Sequence, residues 1–155
     1  ALPEATLAIN DLQKAYVYEL VSEALGDQQT VGVWGLAFKA RTDDVRESAS
    51  IRLCQRLLED GKTVLVHDPE ATENFLAHVS GVTPSDRVTI AERADVLVIM
   101  TEWDAYRTLS KQELAPLAGK TIIDARNILA RDAIQRLLAS HDITYCGIGV
   151  PRRKP

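Results

Sequence analysis

The sequence predicts an α/β protein: a doubly wound, parallel sheet of about five to six strands flanked by helices and preceded by one long N-terminal helix. Three observations predict it. Short apolar runs alternate along the chain with segments whose apolar residues recur at three- and four-residue steps. The runs are apolar nearly throughout, as expected of strands covered on both faces. The 155 residues, 46% hydrophobic and 26% charged, suit one globular domain and are too few for two of full size.

Each element follows from local pattern. Ile9, Leu12, Tyr16, Val17, Leu20, Val21 and Ala24 share a helical stripe, so Leu7 to Leu25 is predicted as an amphipathic helix ended by Gly26. After the polar linker Asp27 to Thr30, the run Val31-Gly32-Val33-Trp34-Gly35-Leu36 is the first strand. Ile51, Cys54, Leu57 and Leu58 line a helix over Glu47 to Glu59, and Gly61 separates it from a strand over Thr63 to Val66. The next unit is weaker: a helix over Glu73 to Val79, a short edge strand over Val88 to Ile90, and one helical turn over Ala91 to Arg93. Asp95 to Thr101 is the strongest strand. Ser110 with Glu113 three places on has the capping-box spacing, which places a short helix to Leu117 before a strand over Lys120 to Asp124. A helix over Arg131 to Ser140 and a strand over Ile143 to Gly147 complete the fold. The expected division is helix and linker over 1–28, a Rossmann-like domain over 29–150, and a basic, fraying tail over 151–155.

Composition excludes several function classes. Lys and Arg total 18 against 22 Asp and Glu, a formal charge of −4, so no nucleic-acid partner is expected. The longest apolar stretches fall far short of the ~20 residues of a membrane span, and no membrane partner is expected. Cys54 and Cys146 form no CxxC and read as buried thiols, and His67, His78 and His141 lack a metal-ligand spacing. The polar opening Ala1 to Thr6 is unlike a signal peptide, which points to the cytoplasm. The chain also opens without Met and runs straight into a helix, as a fragment of a longer gene product would.

Sites in such a sheet lie at the carboxyl ends of strands near the reversal of strand order, which singles out Leu36 to Arg46, Thr101 to Arg107 and Asp124 to Leu129. Gly32-Val33-Trp34-Gly35-Leu36-Ala37 is not the G-x-G-x-x-G turn that admits a pyrophosphate, because Trp34 stands where the second glycine would give access. Asp68 is readable as a ribose ligand, but Pro69 after it favours a turn or cap. Lys39, Arg41 and Arg46 in the first loop either meet an anionic phosphate or belong to a solvated loop in which Asp43, Asp44 and Glu47 pair the cations or cap the next helix. Trp103, in Thr101-Glu102-Trp103-Asp104, either plugs the core edge or contacts a ligand. Arg126 either meets the same anion as Lys39 or ties Asp124 or Glu102 in an ion pair. No catalytic residue and no metal site is expected in this chain.

Gly35-Leu36-Ala37-Phe38-Lys39, Thr42-Asp43-Asp44-Val45-Arg46-Glu47-Ser48, His67-Asp68-Pro69, Thr101-Glu102-Trp103 and Asp124-Ala125-Arg126-Asn127, in order and with fitting spacing, resemble the C-terminal domain of the UDP-glucose/GDP-mannose dehydrogenase family. The resemblance covers about Thr30 to Gly149, and Leu7 to Leu25 is similar to the end of the central helix through which members dimerise. It implies a three-part enzyme whose N-terminal domain binds NAD and whose C-terminal domain closes on a nucleotide sugar. Such enzymes oxidise the sugar C6 alcohol to a carboxylate in two NAD-dependent steps through a cysteine thiohemiacetal and thioester. That cysteine lies in a glycine-rich segment absent from this sequence, so neither Cys54 nor Cys146 inherits the role and the chain alone is expected to be inactive. By position, Phe38 and Lys39 match contacts to the sugar and its phosphate side, Arg46 an arginine reaching NAD, and Arg126 a contact to the nucleotide sugar. Ala125 departs from the usual glycine, and Thr101, Glu102 and Trp103 shape the crevice. UDP-glucose is the favoured substrate. The alternatives are a UDP-N-acetylhexosamine or GDP-mannose dehydrogenase domain, a free-standing nucleotide-sugar-binding module, or an element serving mostly dimerisation and closure.

Overall fold

Strand segments that leave backbone N–H and C=O groups unpaired must find neighbours, and here they do so in parallel. The computed structural model describes residues 15–149 and 153–155. Residues 15–25 are helical (α1), ending before Gly26 with φ +56, while the predicted first half of that helix lies outside the described residues. There follow β1 (Thr30–Trp34), α2 (Ala49–Glu59), β2 (Thr63–His67), α3 (Thr72–Leu76), β3 (Thr83–Pro84) and α4 (Arg87–Arg93). The second half comprises β4 (Val96–Ile99), a 3-10 turn (Asp104–Arg107), α5 (Lys111–Leu117), β5 (Thr121–Asp124), α6 (Asp132–Ser140) and β6 (Thr144–Gly147).

The sheet order is β3-β2-β1-β4-β5-β6 with every strand pair parallel. Val33 of β1 sits between Val66 of β2 and Val98 of β4, and Ile99 of β4 is in register with Asp124 of β5. The order reverses between β1 and β4, so the crevice opens where those strands end. All four residues of β4 are buried, as a central strand covered on both faces requires.

The chain departs from its sequence expectation in the weak third unit. Val88 to Ile90 is not an edge strand but part of α4, because Asp86 caps that helix by accepting from Thr89 N at 2.9 Å and Thr89 Oγ1 at 2.7 Å. The edge strand is the two-residue Thr83–Pro84, where a proline costs little because an outermost strand carries only one ladder. Helix α4 packs directly on β1 because Gly32 has no side chain: a Cβ there would overlap Ile90 Cγ2 and stand 3.1 Å from Ala94 Cβ. Helix α2 begins at Ala49, two residues later than Glu47, which is left-handed at φ +65, and Ser48 caps it through Ser50 N.

Helix α1 shares this core. Val17, Leu20, Val21 and Leu25 are buried, the Tyr18 hydroxyl donates to Asp60, and the Arg56 guanidinium lies 3.7 Å above the Tyr18 ring. At the other end, Arg153 is not frayed: it exchanges two backbone hydrogen bonds of 2.9 Å with Tyr145, pairing with the otherwise open edge of β6. Cys54 and Cys146 are free and buried, and burial pushes the Cys54 thiol up to about 12. Among the described residues no helix is long and apolar enough to cross a membrane, and no cluster of His, Cys, Asp and Glu has the makings of a metal site.

Candidate functional site

The carboxyl ends of β1, β2 and β4 are tied together by one buried carboxylate. Asp68, 6% exposed just beyond β2, accepts through Oδ2 from Leu36 N (2.7 Å), Ala37 N (3.0 Å) and Trp103 Nε1 (3.0 Å), and through Oδ1 from Glu70 N (2.9 Å) and Ala71 N (2.8 Å). All five partners are donors, which suits an ionised carboxylate and nothing else of that size. The turn-and-cap reading of Asp68 therefore holds, and Trp103 plugs the core edge.

This arrangement bears directly on dinucleotide binding. Amides following the first strand of a Rossmann sheet ordinarily face a pyrophosphate. Here the amides of Leu36 and Ala37 are already engaged by Asp68, and Trp34 is fully buried with its ring stacked on Tyr106 at 5.3 Å. The loop after β1 does not fit a dinucleotide.

Behind it stands a second buried network. Arg87 pairs with Glu113 at 2.7 Å, donates to the carbonyls of Ala105 (2.7 Å) and Thr108 (2.9 Å), and lies 4.4 Å from the Trp34 ring centre. Glu113 also closes the predicted capping box by accepting from Ser110 N at 2.8 Å, so one side chain caps α5 and neutralises Arg87. Tyr106 donates its hydroxyl to the His67 carbonyl at 3.0 Å, which leaves His67 Nδ1, 2.9 Å away, as the donor to that hydroxyl. Burial first, then the Arg87 charge, lowers the His67 pKa, so the ring is neutral at pH 7. Sequence reasoning found Glu113 as a cap but missed Arg87, whose position nineteen residues after Asp68 carries no local pattern.

The loop after β1 is built outward from this base. Phe38 N donates to Asp44 O at 2.8 Å, closing residues 38–44 into a loop, and Asn74 Nδ2 holds Asp43 O at 3.0 Å. Thr101 Oγ1 donates to Ala37 O at 2.9 Å, and Ser48 and Ser50 donate their hydroxyls to the carbonyls of Leu36 and Gly35. Phe38 is thereby presented half exposed, beside an exposed Lys39 that has no ion pair among the described residues. Arg41 is 3.7 Å from Asp104, with both side chains largely exposed. Arg46, also largely exposed, forks onto Asp44 with Nη2 to Oδ2 at 2.9 Å. Arg126, 43% exposed beyond β5, pairs with Glu102. Asn127, and not Ala125, takes the left-handed turn, at φ 55.

The Arg46 fork holds the Asp44 carboxyl down at about 2. Carbon-detected NMR titration is expected to place its midpoint there, well below the ~3.9 of a free aspartate. The folded value lies below the unfolded one, so whatever the pair contributes is complete above the unfolded pKa and is lost as pH falls through about 2. An ordinary midpoint would mean that the fork is open in solution.

Fold and site thus define a class: a doubly wound domain in Rossmann order whose switch point is closed to dinucleotides and rimmed by an exposed aromatic ring and cations. The model of the UDP-glucose/GDP-mannose dehydrogenase family, UDP binding domain, matches residues 32–131, and the chain belongs to that family. It is 36% identical over 155 residues to the UDP-glucose 6-dehydrogenase of Rhizobium meliloti strain 1021, covering 97% of this chain and 35% of that protein. Against the UDP-glucose 6-dehydrogenase of Pseudomonas aeruginosa PAO1 the identity is 34%, covering 96% and 34%. The chain therefore spans about a third of the length of the curated relatives it matches. Among solved structures, a UDP-glucose dehydrogenase from Pyrobaculum islandicum superposes with a TM-score of 0.69 at 37% identity, over 78% of this chain and 28% of that one. An NDP-N-acetyl-D-galactosaminuronic acid dehydrogenase from Methanosarcina mazei Go1 gives 0.73 at 28% identity, over 92% and 30%.

Proposed function

We propose that the chain is the C-terminal, nucleotide-sugar-binding part of an NAD-dependent UDP-glucose 6-dehydrogenase that oxidises UDP-glucose to UDP-glucuronate in two steps and supplies polysaccharide synthesis. The observation that carries this reading is Lys39: an exposed cation without an ion-pair partner among the described residues, next to half-exposed Phe38, on a loop pinned at the switch point. A cation left unpaired beside a crevice offers its whole charge to a diphosphate, whereas Arg46 and Arg126 must share theirs with Asp44 and Glu102. In this reading Phe38 and Lys39 meet the sugar and its phosphate side, Arg126 meets the nucleotide sugar after giving up part of Glu102, and Arg46 reaches NAD held mainly by a domain outside this chain. NAD accepts a hydride in each step. This chain's residues bind and orient the substrate and contribute no nucleophile. Residues 1–28 and the domain over 29–150 correspond to the end of a homodimer-forming helix and the substrate domain of a cytoplasmic enzyme, with 151–155 as the basic tail.

The test is kinetic. In the protein expressed from the whole reading frame that contains the Ala1 codon, UDP-glucose should drive NADH formation, and Lys39→Ala should lower kcat/KM by about ten-fold or more with an unchanged melting temperature. Wild-type kinetics in that variant would sink the assignment. A frame that starts at Ala1, with a chain that binds UDP-glucose tightly and oxidises nothing, would instead identify a free-standing binding module. The likeness to the Methanosarcina mazei enzyme favours an N-acetylated sugar as the second reading, and the same assay with UDP-N-acetylhexosamines separates the two.

A further inference from the structure

Although the whole chain carries a net charge of −4, a groove at the β6 edge gathers cations. A cavity of about 270 Å³ lies between α6, β6 and residues 153–154. Arg136, Arg153 and Lys154 line it, together with Leu138, Ile143 and Tyr145. Among the described residues Asp132 is the one carboxylate lining it, against three cations. The wall is held in place, since Arg153 exchanges both backbone hydrogen bonds with Tyr145.

A cationic rim suits a phosphoryl dianion, with any carbon body lying on exposed Ala139 and the aliphatic stems of the rim cations, over the buried floor of Leu138 and Ile143. The volume is just below the ~300 Å³ at which drug-sized sites begin, which suits a small occupant. Tyr145 connects the groove to the rest of the molecule. Its hydroxyl donates to Asp124 Oδ2 at 2.9 Å; the same oxygen accepts from Leu129 N at 2.8 Å, and Asp124 Oδ1 accepts from Arg126 N at 3.2 Å. The groove and the Arg126 loop therefore share one buried carboxylate.

We propose that this groove binds a small phosphoryl-bearing molecule, and that the Tyr145–Asp124 hydrogen bond transmits its occupancy to the loop carrying Arg126. The binding half is independent of the function proposed above, and only the consequence for turnover rests on that reading.

The experiment is a titration of the 155-residue chain with inorganic phosphate and, separately, phenyl phosphate, followed by amide NMR. Saturable shifts are expected at Arg136, Tyr145, Arg153 and Lys154, with smaller ones at Arg126 and Leu129. The double variant Arg136→Gln, Lys154→Gln changes two exposed side chains and should weaken binding by about ten-fold or more. Tyr145→Phe should keep the groove shifts and lose those at Arg126 and Leu129. Tighter binding of phenyl phosphate would identify an organic monoester as the source, and equal binding would identify free phosphate; both outcomes support the site. Non-saturating shifts, shifts confined to residues 38–46 and 126, or unchanged affinity in the double variant would overturn it. Arg126 and Leu129 shifts that persist in Tyr145→Phe would overturn the coupling.

Discussion

Replacing Gly35 by alanine is expected to destabilise the chain by ~3 kcal/mol or more. Two independent terms add. Gly35 has φ +101, a conformation that L-residues rarely adopt. A Cβ there would also stand 2.6 Å from Thr101 N, on the backbone of the neighbouring loop, where no side-chain rotation can relieve the overlap. Moving Thr101 away would break its hydroxyl bond to Ala37 O and so disturb the segment that leads into Phe38 and Lys39. Urea denaturation followed by fluorescence measures this directly. A Gly35→Ala variant within about 1 kcal/mol of the parent would mean that the two loops are farther apart than described.

The second large effect is expected at Asp68. Asp68→Ala leaves the buried donors of Leu36, Ala37, Ala71 and Trp103 facing an empty space, for an expected loss of ~3–5 kcal/mol and a melting temperature lower by roughly 10 °C. Asp68→Asn is the informative control. It preserves shape, yet either orientation of the amide turns an NH₂ group toward N–H donors, two on the Oδ1 side and three on the Oδ2 side. It should therefore lose most of what alanine loses. If Asp68→Asn were as stable as the parent by calorimetry, the carboxylate would not be holding the strand ends together.

Much of the fold is legible residue by residue. The apolar run Val96 to Ile99 announces a central strand because nothing in it tolerates water, and the Ser110 to Glu113 spacing announces α5 because both halves of the capping box lie within one turn. The reading failed where the signal was short. Val88 and Ile90, two β-branched residues around Thr89, look like a strand until Asp86 is recognised as a cap. The tail looks frayed from sequence because composition says nothing about an unpaired strand edge at β6.

The site divides in the same way. Phe38, Lys39, Arg46 and Arg126 stand out in the sequence, as do the pairing alternatives for the cations, since loop residues after strands keep their identity whatever the packing. Arg46 answers to Asp44, two residues before it in the same loop, whereas the pairing of Arg126 with Glu102 is decided by where two loops meet, and Lys39 has no ion-pair partner among the described residues.

The sequence by itself determined the alternation of strand and helix, the family, and the absence of a glycine turn after the first strand. Each of these is encoded within a few neighbouring residues, through side-chain periodicity, caps and backbone freedom. Tertiary structure alone decided that a carboxylate just beyond β2 satisfies the amides a pyrophosphate would otherwise claim, that Arg87 and Glu113 neutralise each other beneath Trp34, and that Tyr145 joins the β6 edge to the Arg126 loop. Those contacts join residues far apart in the chain, and a buried charge or hydrogen-bonding group must find a partner in space, which no local pattern specifies.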